Sequence, residues 1–147
     1  SFSSVGPCMY RILVATDGSE HSRRALGYAA RRAMSAPCKI YLLHVEKPVM
    51  AWEVGALSSI ETVSDVREDV SREVLDAGAG QFDQKTEVER LAVTGEPAAT
   101  ILEQATKLGV DEIVIGSRGL RPLGAALIGS VAYKVLHDAK VAVVVVR

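Results

Sequence analysis

The sequence predicts an α/β fold, a three-layer, doubly wound domain in which helices cover both faces of a five-stranded parallel sheet. Short apolar segments alternate with amphipathic ones, and each connection between apolar segments is long enough to carry a crossover helix. The apolar segments are continuous rather than alternating, as is typical of strands buried on both faces. The strands are expected at Tyr10–Thr16, Lys39–Val45, Thr86–Val93, Asp111–Ile115 and Val141–Val146.

The first strand leads into a helix that begins at Ser19. Serine is a favourable N-cap, and Glu20 suits the positive end of a helix dipole. Apolar residues recur at helical spacing from Leu26 to Ala33, where alanines make the buried face narrow. We therefore expect a helix that extends to about Met34 and lies close to the sheet.

The second strand is followed by an irregular segment, expected from Glu46 to about Leu57, and then by a second helix. Residues 77–80, Ala-Gly-Ala-Gly, are expected to end this helix. The buried stripe of the second helix is expected to be Ile60, Val63, Val66, Val70 and Val74.

The third helix is expected to begin at Pro97, because a proline is tolerated in the first turn. Gly109 suits the left-handed position that ends a helix. A short fourth helix is expected from Gly129 to about His137, before the last strand.

Composition and charge exclude several classes of protein. The net charge is −1 with no concentrated basic surplus, which disfavours nucleic-acid binding. The longest apolar run, Val141–Val146, is much shorter than the roughly 20 residues that cross a bilayer. Two cysteines, Cys8 and Cys38, without a Cys-x-x-Cys motif indicate reduced thiols and a cytoplasmic location. Residues 1–8 are expected to be an artificial or disordered leading segment, and residues 9–147 to form one domain.

Two glycine-rich turns near the C-terminus are the most informative feature. Gly116 and Gly119 follow a strand end, where the ligand crevice of an open parallel sheet lies. Gly129 and Ser130 stand at a helix start, whose free N–H groups and dipole suit a phosphate. These turns could together hold a polyphosphate. By spacing alone, they could equally be loop punctuation and an ordinary helix start.

The chain resembles the ATP-binding branch of the universal stress protein family. The resemblance rests on Gly-x2-Gly-x9-Gly-Ser over residues 116–130, on Ile-Leu-Val-Ala-Thr-Asp-Gly-Ser over residues 12–19, and on Leu43-His44-Val45. It covers Met9 to Arg147 and implies the sheet order 3-2-1-4-5 of the adenine-nucleotide alpha-hydrolase-like group.

The resemblance also implies a set of nucleotide contacts. The ligand is expected to be ATP or AMP, with Mg²⁺ or Mn²⁺ held by the phosphates. The residues expected near adenosine are Ala15, Thr16, Asp17, Val45, Ile115 and Gly116. The residues expected near the phosphates are Arg118, Gly119, Gly129, Ser130 and Val131, of which Arg118 is our inference from charge.

Several of these residues also have an ordinary structural interpretation. Asp17 could be only a turn or capping residue. His44 is expected to be a strand-end residue with a satisfied ring, and His21 and His137 to be surface residues. A further pair, Met50 and Trp52, could close over the adenine as a flap, although packing against the protein itself is favoured.

Three functions remain open from the sequence. The first is a nucleotide-dependent regulatory or stress-response factor. The second is a dimeric interaction protein of the same fold that no longer uses nucleotide, and the third is a slow ATPase or nucleotidyl transferase. No catalytic residues are predicted, because neither a P-loop nor a nucleophile–base motif is present. No protein-bound metal is predicted, because none of the three histidines forms a metal triad with a carboxylate. The intact glycine signature favours the first.

The last strand predicts a homodimer. Val141–Val146 would lie at one edge of the sheet, and a long apolar edge is an aggregation hazard unless it is covered. The family resemblance implies that the same strand of a second subunit covers it, giving a two-fold dimer.

Overall fold

The computed structural model describes residues 9–52, 60–119 and 128–147. Residues 1–8, expected to be a leading segment, lie outside the described ranges, as does the part of the phosphate signature at 120–127. The strands are β1 Tyr10–Ala15, β2 Cys38–Glu46, β3 Glu87–Thr94, β4 Glu112–Gly116 and β5 Ala142–Val146. The helices are α1 Glu20–Ser35, α2 Ile60–Ala79, α3 Pro97–Leu108 and α4 Ser130–Asp138.

The five strands form one parallel sheet in the order β3-β2-β1-β4-β5, which confirms the predicted fold class and strand order. The chain adds strands outward from β1 to β3 and then returns to place β4 on the other side of β1. The strand order therefore reverses between β1 and β4, where open sheets of this type bind ligands.

The core consists of two apolar layers, one on each face of the sheet. Ile12 and Val14 of β1 point into the layer that α1 and α2 cover. Leu13 points into the opposite layer, covered by α3 and α4. All three side chains are completely buried, so β1, the middle strand of the sheet, contributes to both apolar layers.

The ends of α1 and α3 follow the sequence prediction. The Ser19 side chain accepts a hydrogen bond from the Ser22 N–H and caps α1. Helix α3 has Pro97 in its first turn and is capped by the Glu96 carboxylate. It ends at Gly109, whose φ of 60° is in the left-handed region that favours glycine.

The predicted buried stripe of α2 is wrong in part. Val66 and Val70 are 53% and 48% exposed, whereas Ser71 and Leu75 are buried. The helix lies close to the sheet at Gly78, where a Cβ would be only 3.0 Å from Leu42 Cδ2. The face that packs on the sheet is therefore the one that carries Ser71, Leu75 and Gly78.

A polar cluster joins β1, β4 and α1 at the edge of the sheet opposite the predicted crevice. The Tyr10 hydroxyl donates to Glu112 Oε2 at 2.9 Å, and Arg32 Nη1 lies 3.3 Å from the same oxygen. The Glu112 carboxylate is buried, and its hydrogen bond raises the pKa of Tyr10, with burial the next cause. Nearby, burial raises the pKa of the Cys38 thiol.

Within the described ranges, no helix has the length and apolarity needed to cross a membrane.

Candidate functional site

The turn after β1 places Asp17 at the crevice. Its Oδ1 accepts a hydrogen bond from the Ser19 N–H at 2.9 Å, so the side chain does hold the turn. Its other oxygen, Oδ2, has no hydrogen-bond partner among the described residues and lies beside Gly119, on the neighbouring strand's loop. Asp17 therefore combines the structural role with one carboxylate oxygen at the crevice that accepts no hydrogen bond from a described residue.

Thr16 is buried and held by the end of β2. Its N–H donates to the Leu43 carbonyl at 2.9 Å, and its carbonyl accepts a hydrogen bond from His44 Nδ1, also at 2.9 Å. Its hydroxyl accepts from the Gly18 N–H at 3.4 Å. Ala15, which precedes it, is half-buried at the end of β1.

The main chain of Val45 faces the space beyond the end of β1. Parallel strands alternate the side to which successive peptide groups point. Leu43 pairs with Thr16 on the β1 side, whereas the Glu46 carbonyl accepts from Gly95 on the β3 side. The N–H and C=O of Val45 therefore point toward β1, past its last residue.

Gly116 has a packing role that differs from the expected one. A Cβ at this position would lie 2.7 Å from the His21 carbonyl carbon and 2.8 Å from its oxygen. The glycine thus lets the first turn of α1 approach the end of β4. Both Gly116 and its neighbour Ile115 are buried, and proximity of either to a ribose stays a prediction.

The expectation that the Gly129 amide is free for a phosphate is wrong. Its N–H donates to the Ser117 carbonyl at 2.6 Å, while the Ser117 N–H donates to Val146. These two bonds fix the start of α4 to the ends of β4 and β5. Gly129 therefore positions the helix start, and phosphate binding by the amides that follow it stays a prediction.

Helix α4 begins without a side-chain cap. Gly129 is its N-cap and offers no side-chain hydrogen bond, and the first helical bond runs from the Tyr133 N–H to the Gly129 carbonyl. The N–H groups of Ser130, Val131 and Ala132 therefore have no partner among the described residues. Ser130 is exposed, so its hydroxyl is accessible beside them.

Arg118 is the last described cation before this helix start in the sequence. It is half-buried and has no ion-pair partner within the described part of the chain. No group of three or more histidine, cysteine, aspartate or glutamate residues in that part is arranged to hold a metal ion.

The predictions for the three histidines and for Met50 and Trp52, the two residues of the possible flap, had different outcomes. The prediction that His44 has a satisfied ring is confirmed by its bond to Thr16. His21 is not a simple surface residue, because its Nδ1 is buried without a partner in the described structure, whereas His137 is exposed. Met50 and Trp52 are 50% and 76% exposed, so the favoured packing against the protein is wrong and the flap stays a prediction.

Three groups at this candidate site were not predicted from the sequence. The Ser117 carbonyl and the Ala132 N–H are main-chain groups, which carry no residue-type signal. The third, His44, was expected only to be a strand-end residue with a satisfied ring. The position of His44, directly before Val45 at a strand end, is the one signal that could have identified it.

The fold defines the class of doubly wound α/β proteins, here with the strand order reversing between β1 and β4 and an uncapped helix start held at the ends of β4 and β5. Residues 9–147 match the model of the universal stress protein family, and the chain belongs to that family. Universal stress protein YxiE of Bacillus subtilis (strain 168) is 32% identical over 146 residues, covering 93% of this chain and 98% of that protein.

Solved structures agree with this assignment. The universal stress protein UspA from Lactobacillus plantarum superposes with a TM-score of 0.77 at 21% identity, over 97% of this chain and 100% of that one. A universal stress protein crystallised in complex with cAMP gives a TM-score of 0.67 at 25% identity, over 96% and 98% of the two chains.

Proposed function

We propose that this protein binds ATP or AMP in the crevice between β1 and β4 and acts as a nucleotide-dependent regulatory or stress-response factor. The observation that carries the proposal is the uncapped start of α4, anchored by Gly129 to the residue that follows β4. A helix start with three unpaired amides favours an anion. The start of α4 lies at the carboxyl end of β4, one of the two strands that flank the switch point, and sheets of this type bind ligands beyond that edge.

The phosphate end of the ligand is assigned to the N–H groups of Ser130, Val131 and Ala132. The Ser130 hydroxyl supplies a further donor, and Arg118 supplies a positive charge that no described carboxylate neutralises. Charge-assisted hydrogen bonds of this kind are the stronger ones in proteins. A divalent cation, Mg²⁺ or Mn²⁺, would be held by the phosphates themselves.

The adenosine end is assigned to the carboxyl ends of β1 and β2. The outward N–H and C=O of Val45 can pair with one edge of a purine base, and Asp17 Oδ2 can accept from a sugar hydroxyl. The relative in complex with cAMP contains an adenine nucleotide and is similar over nearly the whole chain. That likeness supports an adenine nucleotide as the ligand class.

The test is the variant Ser130→Pro. Proline is tolerated at the first helical position, and Gly129, with φ −76° and ψ 163°, already has the extended conformation that a following proline requires. The variant therefore removes one amide hydrogen and one hydroxyl while keeping the helix. We expect ATP affinity to fall by about ten- to a hundredfold, with the unfolding temperature nearly unchanged.

The matched control is Ser130→Ala, which removes the hydroxyl and keeps the amide. ATP affinity of Ser130→Pro equal to that of Ser130→Ala would contradict the role of the amides. A wild-type protein that binds neither ATP nor AMP would favour the nucleotide-independent interaction protein instead. Measuring phosphate release in the same samples tests the slow ATPase.

We also propose that the protein is a homodimer that pairs through β5, in the cytoplasm. Strand β5 pairs only with β4 among the described strands, so its other edge lacks a ladder partner. Four of its five residues are half-buried valines, and Tyr133 and Leu136 of the adjacent α4 are 58% and 50% exposed. A second copy of this strand would pair the edge and cover apolar surface.

A further inference from the structure

The ladder between β1 and β2 stops one hydrogen bond early. The register pairs Ala15 with Leu43, and the Thr16 N–H continues it by donating to the Leu43 carbonyl. In a regular parallel ladder, the next bond would run from the Val45 N–H to the Thr16 carbonyl. That bond is not formed: β1 and its register with β2 end at Ala15, whereas β2 continues to Glu46.

The Thr16 carbonyl is instead occupied by the ring of His44. Nδ1 of His44 lies 2.9 Å from the Thr16 oxygen. A carbonyl oxygen only accepts, so Nδ1 must be the nitrogen that carries the hydrogen of this bond. The side chain of His44 thus replaces the main chain of Val45, one residue further along β2, as the donor to Thr16.

The carbonyl of Val45 also lacks its ladder partner. An extended β1 would bring the Gly18 N–H to it. Gly18 has a φ of 81°, outside the range of a strand, and its N–H turns back to the Thr16 hydroxyl. Both groups that could pair with Val45 from the β1 side are therefore engaged elsewhere.

We propose that His44 is a positioning residue that keeps the Val45 N–H out of the ladder and so leaves it available to a ligand. That this ligand is the base edge of an adenine nucleotide rests on the proposed function. The absence of the bond between the Val45 N–H and the Thr16 carbonyl does not rest on the proposed function, because it follows from the contacts of Thr16 alone. The His44 ring donates to the Thr16 carbonyl, so the main-chain N–H of Val45 is not used for that bond.

The proposal is tested in nucleotide-free protein by amide hydrogen exchange at Val45, read by NMR. In His44→Ala the Thr16 carbonyl is released, the ladder closes by one bond, and exchange at Val45 should slow by about tenfold or more. His44→Asn places a side-chain N–H where Nδ1 was, so exchange should stay near the wild-type rate. His137→Ala, which removes an exposed histidine on α4, should leave Val45 unchanged.

A histidine that merely fills space predicts a different pattern. Unchanged exchange at Val45 in His44→Ala, or equal behaviour of the alanine and asparagine variants, would overturn the proposal. If His44→Ala does not fold, His44→Gln replaces it, because its amide lies one methylene further from the Thr16 carbonyl. A neutral His44 ring found by ¹⁵N NMR to carry its hydrogen on Nε2 would also overturn it.

Measuring AMP affinity tests whether the positioning role of His44 affects ligand binding. With the Val45 N–H recaptured by Thr16, the dissociation constant for AMP should rise about tenfold in His44→Ala and stay near wild type in His44→Asn. Equal affinities in all three proteins would overturn the link to the ligand. Failure of the wild type to bind AMP would instead reject the proposed function, and the exchange experiment would still decide the role of His44.

Discussion

The carboxylate of Asp17 occupies the space into which a side chain at position 119 would project. An ideal Cβ on Gly119 would lie 2.8 Å from Asp17 Oδ2, closer than real Cβ contacts come. Gly119 therefore lets the loop after β4 approach the turn after β1 across the crevice. The two halves of the candidate site, one from each strand, meet at this contact.

This contact predicts coupling between the two positions. Gly119→Ala should displace the Asp17 carboxylate and weaken ATP binding by about tenfold, and Asp17→Ala should weaken it by a similar amount. The double variant should be no weaker than Asp17→Ala, because the clash is then gone and the losses are not additive. Calorimetric titration of all four proteins measures this, and strictly additive losses would show that the residues act separately.

The free edge of β5 predicts a selective effect of proline. The Val146 carbonyl faces β4, so by alternation the Val143 N–H faces outward. Val143→Pro removes only an outward N–H, which edge strands tolerate, and should convert a dimer into a folded monomer. Val144→Pro, the matched control, removes an inward N–H and should destabilise the fold. Sedimentation and thermal unfolding check both, and an intact Val143→Pro dimer would contradict pairing through β5.

The Tyr10–Glu112 hydrogen bond predicts a loss of stability at alkaline pH. Because the pKa of Tyr10 is raised in the folded protein above its ordinary value of 10.0, this contribution is present below pH 10 and is lost as the pH rises through the folded pKa. Tyr10→Phe should lower the free energy of unfolding by about 1 kcal/mol at pH 7. The difference from wild type should shrink above pH 10 in urea titrations. A difference that stays constant from pH 7 to 11 would argue against the bond.

The sequence predicted the architecture because each strand and helix carried its own local signal. Apolar runs, the Ser19 cap, Pro97 and Gly109 all have the predicted roles. The predicted buried face of α2 was wrong in part, because the valine spacing does not show that Ser71 and Leu75 are the buried residues. On that face Gly78 packs closely against Leu42, and a pattern of apolar residues does not reveal such a contact.

Within the candidate site, the sequence predicted where the two turns lie in the fold, but not which of their amides are already hydrogen-bonded. Gly129 stands at the helix start as expected, yet its own amide is used by Ser117. The absence of a side chain at Gly116 leaves space for His21 of α1, and a contact of Gly116 with a ligand stays a prediction. Which amides remain free depends on long-range main-chain pairing, and a residue pattern does not encode this directly.

The most direct measurement is an ATP titration of ¹⁵N-labelled protein, following the amide signals of Val45 and Val131. The first amide belongs to the base end of the crevice and the second to the phosphate end. We predict that both signals shift and that both reach saturation with one dissociation constant. Binding of ATP with either amide unmoved, or no binding at millimolar ATP, would contradict the account.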